Sequence, residues 1–491
     1  LPYESYKRFV LRNGGQDWCV LQFRDEFATS LVGDLSDLGG IITPPHLFLQ
    51  AWRPAVVYLN GQYWGIHNVR ERMTRFYLRQ HFGWEDAEVD LVENFSHALT
   101  GDTIAWFQFI DFLQQTDFSN PDGLDLLKQR IDYHNFLDYC AYNIYLENED
   151  WPGNNVRRFR QRNAEGRWQW MTYDLDFTFG LYQNPGGWNT GDASPDALAR
   201  LLDSTSINWP NPDWATLPFR RCWQSADFRR DFANRLADML NTNLLPSRVS
   251  RRLDQFQSLY GPEIGAHYQR WWGAYVPEIW LDNIAKTRTF AQERPNYVRE
   301  EILGAVPEAR GMVELTVDAA SRKGGKLTIS TVHLDSLHFP WTGTYFRSLA
   351  IPVRAVARPG YHFAGWSDPG LGSLDSINLV LDTSYHLVAL FEADMPPVDT
   401  IKTSSTLEIN LLPNPVSGML QVVNPELARQ DFQLQIVDAL GRILVDQPYP
   451  PQPNGTLLLP MRNLPNGIYF IRVTLAGSGR SGSQSFARTG G

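Results

Sequence analysis

Four side chains in one short stretch carry hard oxygen donors at spacings that could do chemistry: Asp150 and Asn155, then Asp174 and Asp176. Between them lie two strand-like runs, Val156 to Gln161 and Arg167 to Tyr173, joined by the turn-rich Arg162-Asn163-Ala164-Glu165-Gly166. The midpoint of Asn155 and Asp174 falls between residues 164 and 165, inside that turn. A hairpin folded there sets Asn155 beside Asp174 at its open end, with Asp150 in the preceding loop and Asp176 just beyond. No lysine in the stretch pairs with these carboxylates. Gathered together they cost Coulomb energy unless protons or a cation neutralise them, so the pattern points to Mg²⁺ or a similar ion on oxygen ligands.

Asp150 to Asn155 is also D-x-x-x-x-N, the spacing of a protein-kinase catalytic loop, in which the Asp accepts the substrate hydroxyl proton and the Asn holds a magnesium ion. A later Asp, here Asp174, takes the other metal contact in that scheme. The alternative is plainer: Asp150 and Asn155 shape a turn while Asp174 and Asp176 face solvent on a strand. No HRD precedes the loop, and no GxGxxG or GxxxxGK[ST] occurs, so a standard kinase lobe or P-loop is not supported.

Residues that hold such a stretch read as mixed α and β. Ala55 to Leu59 is β-branched and aromatic, and Asn60-Gly61 tolerates positive φ before Gln62-Tyr63-Trp64, which predicts a hairpin. Phe228, Phe232, Leu236, Met239 and Leu240 fall on one helical face, and Val249, Leu253, Phe256 and Leu259 repeat the pattern after Pro246-Ser247. Segment 275–303 reads as another long helix that Arg294-Pro295 should end or kink. From Gly311 to Asp394 short β-type runs follow one another (Val313 to Val317, Lys326 to Ile329, Ile351 to Ala357, Leu387 to Phe391), which predicts an all-β module. A Pro/Thr/Ser-rich linker, Met395 to Thr406, leads to a second β module whose last dozen residues are expected to fray.

Composition narrows the classes. The 491 residues, 43% hydrophobic and 20% charged, suit two to four globular domains. Against 54 Asp and Glu stand 44 Lys and Arg, a net charge of −10 that argues against a binder of nucleic-acid backbones. No apolar run approaches the roughly 18 residues of a transmembrane helix. Cys19, Cys140 and Cys222 are widely spaced and imply neither a zinc site nor a disulfide framework. His134, His267 and Trp271-Trp272 read as core or surface residues. The chain opens Leu1-Pro2-Tyr3, without an initiator Met or a leader pattern.

The sequence resembles the CotH kinase-like family, named for a spore-coat protein H. The resemblance is carried by Leu11-Arg12-Asn13-Gly14-Gly15-Gln16-Asp17-Trp18, Phe23-Arg24-Asp25, Arg53-Pro54 through Trp64-Gly65-Ile66, Arg70-Glu71, the Asp150 loop and Tyr173-Asp174-Leu175-Asp176. It implies ATP-dependent phosphorylation of protein Ser or Thr, with Asp150 as catalytic Asp, Asn155 and Asp174 as metal ligands, and Asp176 as a helper at the metal. The implied cofactors are ATP and Mg²⁺, with Mn²⁺ as the substitute. Glu71 stands where it could orient a nucleotide-binding lysine, or equally serve as an ion-pair residue; Arg24-Asp25 and Arg70 are expected to form structural ion pairs. The family usually carries its lysine segment upstream of the Leu-Arg-Asn stretch. Lys7 falls after that position, so the lysine is unknown and residues 1–309 are expected to lack the N-terminal part of the domain.

Residues 310–394 resemble bacterial β-repeat modules related to internalin B-repeats, through Ala357-Arg358-Pro359-Gly360-Tyr361-His362-Phe363-Ala364-Gly365-Trp366 and Val388-Ala389-Leu390-Phe391. A spacer is expected there, with Trp366 as the residue through which a surface glycan could stack. Residues 407–491 resemble the type A sorting domain of the type IX secretion system, through Leu412-Pro413-Asn414-Pro415, Ile436-Val437-Asp438-Ala439-Leu440-Gly441-Arg442 and Leu464-Pro465-Asn466-Gly467-Ile468-Tyr469. The expected fold is therefore multidomain: an α+β atypical protein-kinase-like domain (1–309), a small all-β repeat module (310–394), a linker (395–406) and a small β-sandwich sorting domain (407–491).

The resemblances imply a secreted or outer-surface protein whose partners are the type IX machinery and a protein Ser/Thr substrate, with no nucleic acid and no transmembrane segment. Three functions stand: an exported kinase, a catalytically inactive kinase-like adhesion protein, and an enzyme that transfers another group from a nucleotide. Scarce extracellular ATP weighs against the first, and the retained acidic cluster against the second.

Overall fold

The computed structural model describes residues 5–184, 187–274, 276–394 and 406–490. Contacts divide the chain into two compact units, Leu1–Asp394 and Met395–Gly491. The expected linker lies outside the described residues except for Thr406.

The first unit opens with a three-stranded antiparallel sheet in the order β1-β3-β2, from β1 (Phe9–Arg12), β2 (Trp52–Leu59) and β3 (Gln62–Glu71). The expected Asn60-Gly61 hairpin joins β2 to β3, with φ of 51° and 79° at its two turn residues. Helix α1 (Arg24–Gly33) is buried along almost its whole length, acidic and basic residues included. After α2 (Arg75–Phe82) a second sheet runs β5-β4-β6-β7, with β4 (Val89–Glu93), β5 (His97–Thr100), β6 (Arg157–Gln161) and β7 (Gln169–Met171). Between β5 and β6 come α3 (Ile104–Gln115), α4 (Pro121–Lys128) and α5 (Tyr133–Leu146). Helix α5 is the central element: apolar almost all round, it is buried on every side.

After a short β8–β9 pair (Leu181–Asn184 and Gly187–Asn189), helices α6 (Ala197–Leu202), α7 (Asp213–Cys222), α8 (Ala226–Leu240), α9 (Pro246–Trp272) and α10 (Pro277–Ala305) complete the helical part. The stripe Phe228, Phe232, Leu236, Met239 and Leu240 is buried as expected. In α9 the last expected core residue, Leu259, is exposed, and Tyr260 takes the inward position with its hydroxyl donating to Asn68 Oδ1 at 2.6 Å. The expected break at Arg294-Pro295 does not occur. Arg294, just before the proline, donates to the carbonyls of Ile144 and Tyr145 on α5 and of Ala193 and Pro195, and α10 runs on through Pro295.

The β module consists of β10 (Met312–Ala319), β11 (Gly325–Ile329), β12 (Val332–Leu334), β13 (Trp341–Phe346), β14 (Ala350–Ala357), β15 (Tyr361–Trp366), β16 (Ser376–Val380) and β17 (Tyr385–Ala393). They form sheets β13-β10-β17-β15 and β12-β11-β14-β16, and β10 and β17 run parallel. The module, expected to be a spacer, shares one compact unit with the helical part. Its apolar residues join one core that runs from Val20 to Phe391, and the polar face of α8 grips it. Asp238, fully buried, accepts the Thr331 N–H at 2.8 Å and the Tyr345 hydroxyl at 2.7 Å; Asn234 donates to Ala350 O, and Asn241 exchanges two bonds with the Thr344 main chain. Trp366 is 3% exposed and donates to Leu374 O, so it is a core residue and offers no face to a glycan.

In the second unit β18 (Asn410–Leu412), β19 (Met419–Val423) and β22 (Thr456–Pro460) make one sheet. The other is β21-β20-β23-β24, from β20 (Phe432–Asp438), β21 (Ile443–Tyr449), β23 (Gly467–Leu475) and β24 (Ser481–Arg488). Leu420, Val422, Leu434, Ile436, Ile471 and Val473 fill its own core, as a sandwich requires. The expected frayed end is instead the strand β24, paired with β23 along its length and closed by buried Arg488 donating to Met461 O.

Candidate functional site

Helix α5 ends at Glu147, whose φ of 49° turns the chain sharply into the Asp150 loop. Asn148 shapes that loop: Nδ2 donates to Asn143 Oδ1, and Oδ1 accepts the Asp150 N–H at 3.2 Å. Two main-chain bonds then tie the loop to the segment after β7: Glu149 N–H to Phe177 O, and Phe179 N–H to Leu146 O, each 3.1 Å. Asp150 is thereby set beside the acidic segment. Its Oδ2 accepts the side-chain amides of Asn154 at 2.8 Å and Asn155 at 2.6 Å. Burial pushes the Asp150 carboxyl above its ordinary value and the nearby Asp174 adds to the shift, while the Asn154 bond opposes it.

The pairing Arg157↔Met171, Arg158↔Trp170 and Phe159↔Gln169 confirms the hairpin but with a register one residue from that expected. Continued outward, it sets Tyr173, not Asp174, opposite Asn155. Both Asn155 and Asp174 lie beyond the strands with left-handed backbone, φ 57° and 59°, so irregular loops rather than ladder pairing aim these side chains.

The carboxylates have a cation that sequence reasoning missed. Arg12, at the end of β1, pairs through Nη2 with Asp174 and with Asp176 Oδ2, the latter at 3.0 Å. Its Nε lies 3.7 Å from Asp25 on α1, and Asp25 is also paired with Arg70, which lies 3.3 Å from Glu26. Burial acts against the Arg12 charge, but Asp25, Asp174 and Asp176 outweigh it and raise its pKa further. The Gly14-Gly15 turn fits around this cluster: Gly15 has φ 60°, a Cβ there would stand 2.0 Å from Asp176 Oδ2, and the next N–H, of Gln16, donates to that oxygen at 2.8 Å. Behind it, buried Arg24 bonds Asp17 and the Thr178 carbonyl, fixing the turn to the acidic segment. The signal was a cation followed by two glycines in Leu11-Arg12-Asn13-Gly14-Gly15, which reads as a turn until its partners, more than 160 residues away, are known.

The expected ligands differ in access. Asp174 is 23% exposed, whereas Asp176 is 1% exposed, with Oδ2 committed to Arg12 and Gln16; burial pushes its carboxyl well up, and Asp174 adds to the shift. Among the described residues no group of three or more His, Cys, Asp or Glu is arranged to hold a metal. Mg²⁺ carried by a nucleotide needs only one or two carboxylates beside phosphates and water. Asp174, with the Oδ1 end of Asn155, would be the residues to hold it, and the guanidinium on Asp174 marks a position that already accepts positive charge. Asp176 does not fit as a ligand.

Glu71 is not joined to a lysine. Its Oε1 is 2.8 Å from His81 Nε2, and Oε2 accepts the Ala51 N–H; with Thr29, Trp52 and Phe256 the pair lines a cavity of 540 Å³. Arg24, Asp25 and Arg70 form the ion pairs expected of them, wholly buried. Lys7 is exposed.

Comparison with known proteins bears on this geometry. The family model described as CotH kinase protein matches residues 2–298, and that described as a secretion system C-terminal sorting domain matches residues 410–481. No curated protein matches. Among solved structures, a DUF3244 family protein from Bacteroides vulgatus with an immunoglobulin-like β-sandwich fold is similar over 16% of this chain and 83% of its own, at 20% identity and a TM-score of 0.15.

Proposed function

The chain belongs to the CotH kinase protein family, and from that premise we propose that it is a phosphotransferase that moves the γ-phosphoryl group of ATP to a Ser or Thr hydroxyl of a protein. Its C-terminal sorting domain marks it for secretion to the outer surface, and none of its described helices is long and apolar enough to cross a membrane. Export through the type IX machinery is part of the proposal.

The observation that supports the reading is Asp150: a mostly buried carboxylate with raised proton affinity, oriented by two amides, beside a more open Asp174. A base needs a stronger pull on a proton than a solvated carboxylate has, and burial supplies it. Asp150 takes the acceptor hydroxyl proton. Asn155 and Asp174 would hold Mg²⁺, or Mn²⁺ in its place, and Asp176 holds Arg12 and the glycine turn in position. The ion supplies neutralisation of charge on the transferring phosphoryl group when bound.

A second reading has one observation in its favour. Arg12 satisfies Asp174 and Asp176 without any metal, as an inactive surface-binding protein would need. Thermal melting of the full chain with and without ATP and Mg²⁺ separates the two. The kinase reading expects a higher midpoint with both, and transfer of labelled γ-phosphate to protein. No shift would leave the binding protein as the better account, and label transferred from the α-position would indicate another group.

A further inference from the structure

We propose that Arg12 is a phosphate-binding cation of this site; the inference rests on the reading of the domain as an ATP-dependent phosphotransferase. Residues 1–309 contain only three lysines, Lys7, Lys128 and Lys286. Lys128 pairs with Asp125 one turn away on α4, Lys286 with Asp282 on α10, and Lys7 is exposed next to β1. None reaches the acidic cluster. Arg12 does, and it touches both sides of it: Asp25 on α1 and the Asp174–Asp176 segment.

The geometry suits an oxyanion. Nη2 is shared between Asp174 and Asp176, Nε lies under Asp25 and has no hydrogen-bond partner, and Nη1 is used by none of these three. The side chain is 24% exposed, so part of it stays open to solvent although Nε is buried. Arginine keeps its charge when buried, and its planar fork can hold a carboxylate and a phosphate at once, which a lysine does less well. Asp174 Oδ1, which Arg12 holds, is the oxygen that a nucleotide-borne Mg²⁺ would take. Asp176 and Asp25 would still anchor the side chain, and the single Nη2 N–H freed from Asp174, with the unused Nη1, would be available to phosphate oxygens. Gly15 is part of the device, because any Cβ at that position would enter the space between Arg12 and Asp176.

The test is calorimetric titration of the full chain with ATP and with inorganic tripolyphosphate, each with Mg²⁺, in wild type, Arg12→Met and Arg12→Lys. Arg12→Met should weaken both probes by a similar factor, about 10- to 100-fold, because the lost contact is to phosphate. Arg12→Lys, which keeps the charge but not the fork, should fall between. If Arg12→Met does not fold, Arg12→Lys decides alone: weakened binding supports the role, and unchanged binding overturns it. Equal or tighter binding of ATP by a folded Arg12→Met makes Arg12 a structural counter-ion that competes with the metal, and overturns the proposal. Should wild type bind neither probe, the phosphotransferase reading itself falls, a result distinct from failure of the Arg12 variants alone.

Discussion

The Glu149 N–H donates to the Phe177 carbonyl at 3.1 Å, and this bond joins the two loops that carry Asp150 and Asp174. With the return bond from Phe179 to Leu146 it makes a short two-bond bridge between the end of α5 and the segment after β7. The separation of Asp150 from Asp174 is thus set by main chain, at the end of a helix buried on all sides. Side-chain substitutions at the site should alter chemistry without moving the loops.

Asp150→Asn keeps the shape and an acceptor oxygen for Asn154 and Asn155 but cannot take a proton. Phosphate transfer should fall by about 10²- to 10⁴-fold. The ATP- and Mg²⁺-dependent rise in melting temperature should persist. Radiolabel incorporation and thermal melting measure the two separately, and retained transfer would remove Asp150 from the role of base.

Asp174→Ala removes the accessible carboxylate. At a nucleotide concentration 100 times Kd, binding stabilises a wild-type protein by about 2.7 kcal/mol. The variant should show almost none of this, while its midpoint without ligand falls modestly, through the lost Arg12 pair and the strain of alanine at φ 59°. An undiminished ligand shift in the variant would contradict the assignment.

Gly15→Ala should destabilise the first unit by about 2 kcal/mol, through the strain of its left-handed φ and the 2.0 Å approach of the new Cβ to Asp176 Oδ2. Urea unfolding followed by tryptophan fluorescence reads this directly. An unchanged midpoint would mean that the turn can open away from Asp176 at no cost.

His267 accepts the Ile66 N–H at 3.1 Å through Nδ1, and burial pushes its pKa down from 6.5 to about 4. The folded state therefore binds fewer protons than the unfolded chain between those values, so stability falls as pH drops from 6.5 through 4. The effect approaches 3 kcal/mol in order of magnitude. In His267→Gln the difference from wild type should shrink steadily over that window. Parallel pH profiles for the two proteins would show that His267 does not titrate this way.

Asp238→Ala leaves the Thr331 N–H and hydroxyl and the Tyr345 hydroxyl without their acceptor. The cost should be about 3 kcal/mol, since the Tyr345 hydroxyl is fully buried and the Thr331 groups are partly so. Hydrogen exchange should quicken in β12 and β13 before it quickens in α5. Uniform quickening would mean that the β module and the helical part unfold as one.

Local patterns in the sequence were enough for the elements and for the chemical character of the site. The Asn60-Gly61 hairpin, the stripe of α8, the β runs of both C-terminal modules and the Asp150 and Asp174 stretch depend on neighbours within a few residues or across one turn, and such neighbours can be read along the chain. What the tertiary structure decided lies at long range. Arg12 reaches Asp174 across 162 residues, so its role as counter-ion has no local mark beyond a glycine turn. Asn234, Asp238 and Asn241 look like the solvated face of α8, yet they bind the β module, because a polar face at helical spacing has the same appearance whether its partner is water or another main chain. Pro295 stays within α10 for a similar reason, since four carbonyls gathered around Arg294 outweigh a local propensity to break. Residue types settle which chemistry is available, but burial and distant charge settle which carboxylates stay open and which, like Asp176, are closed.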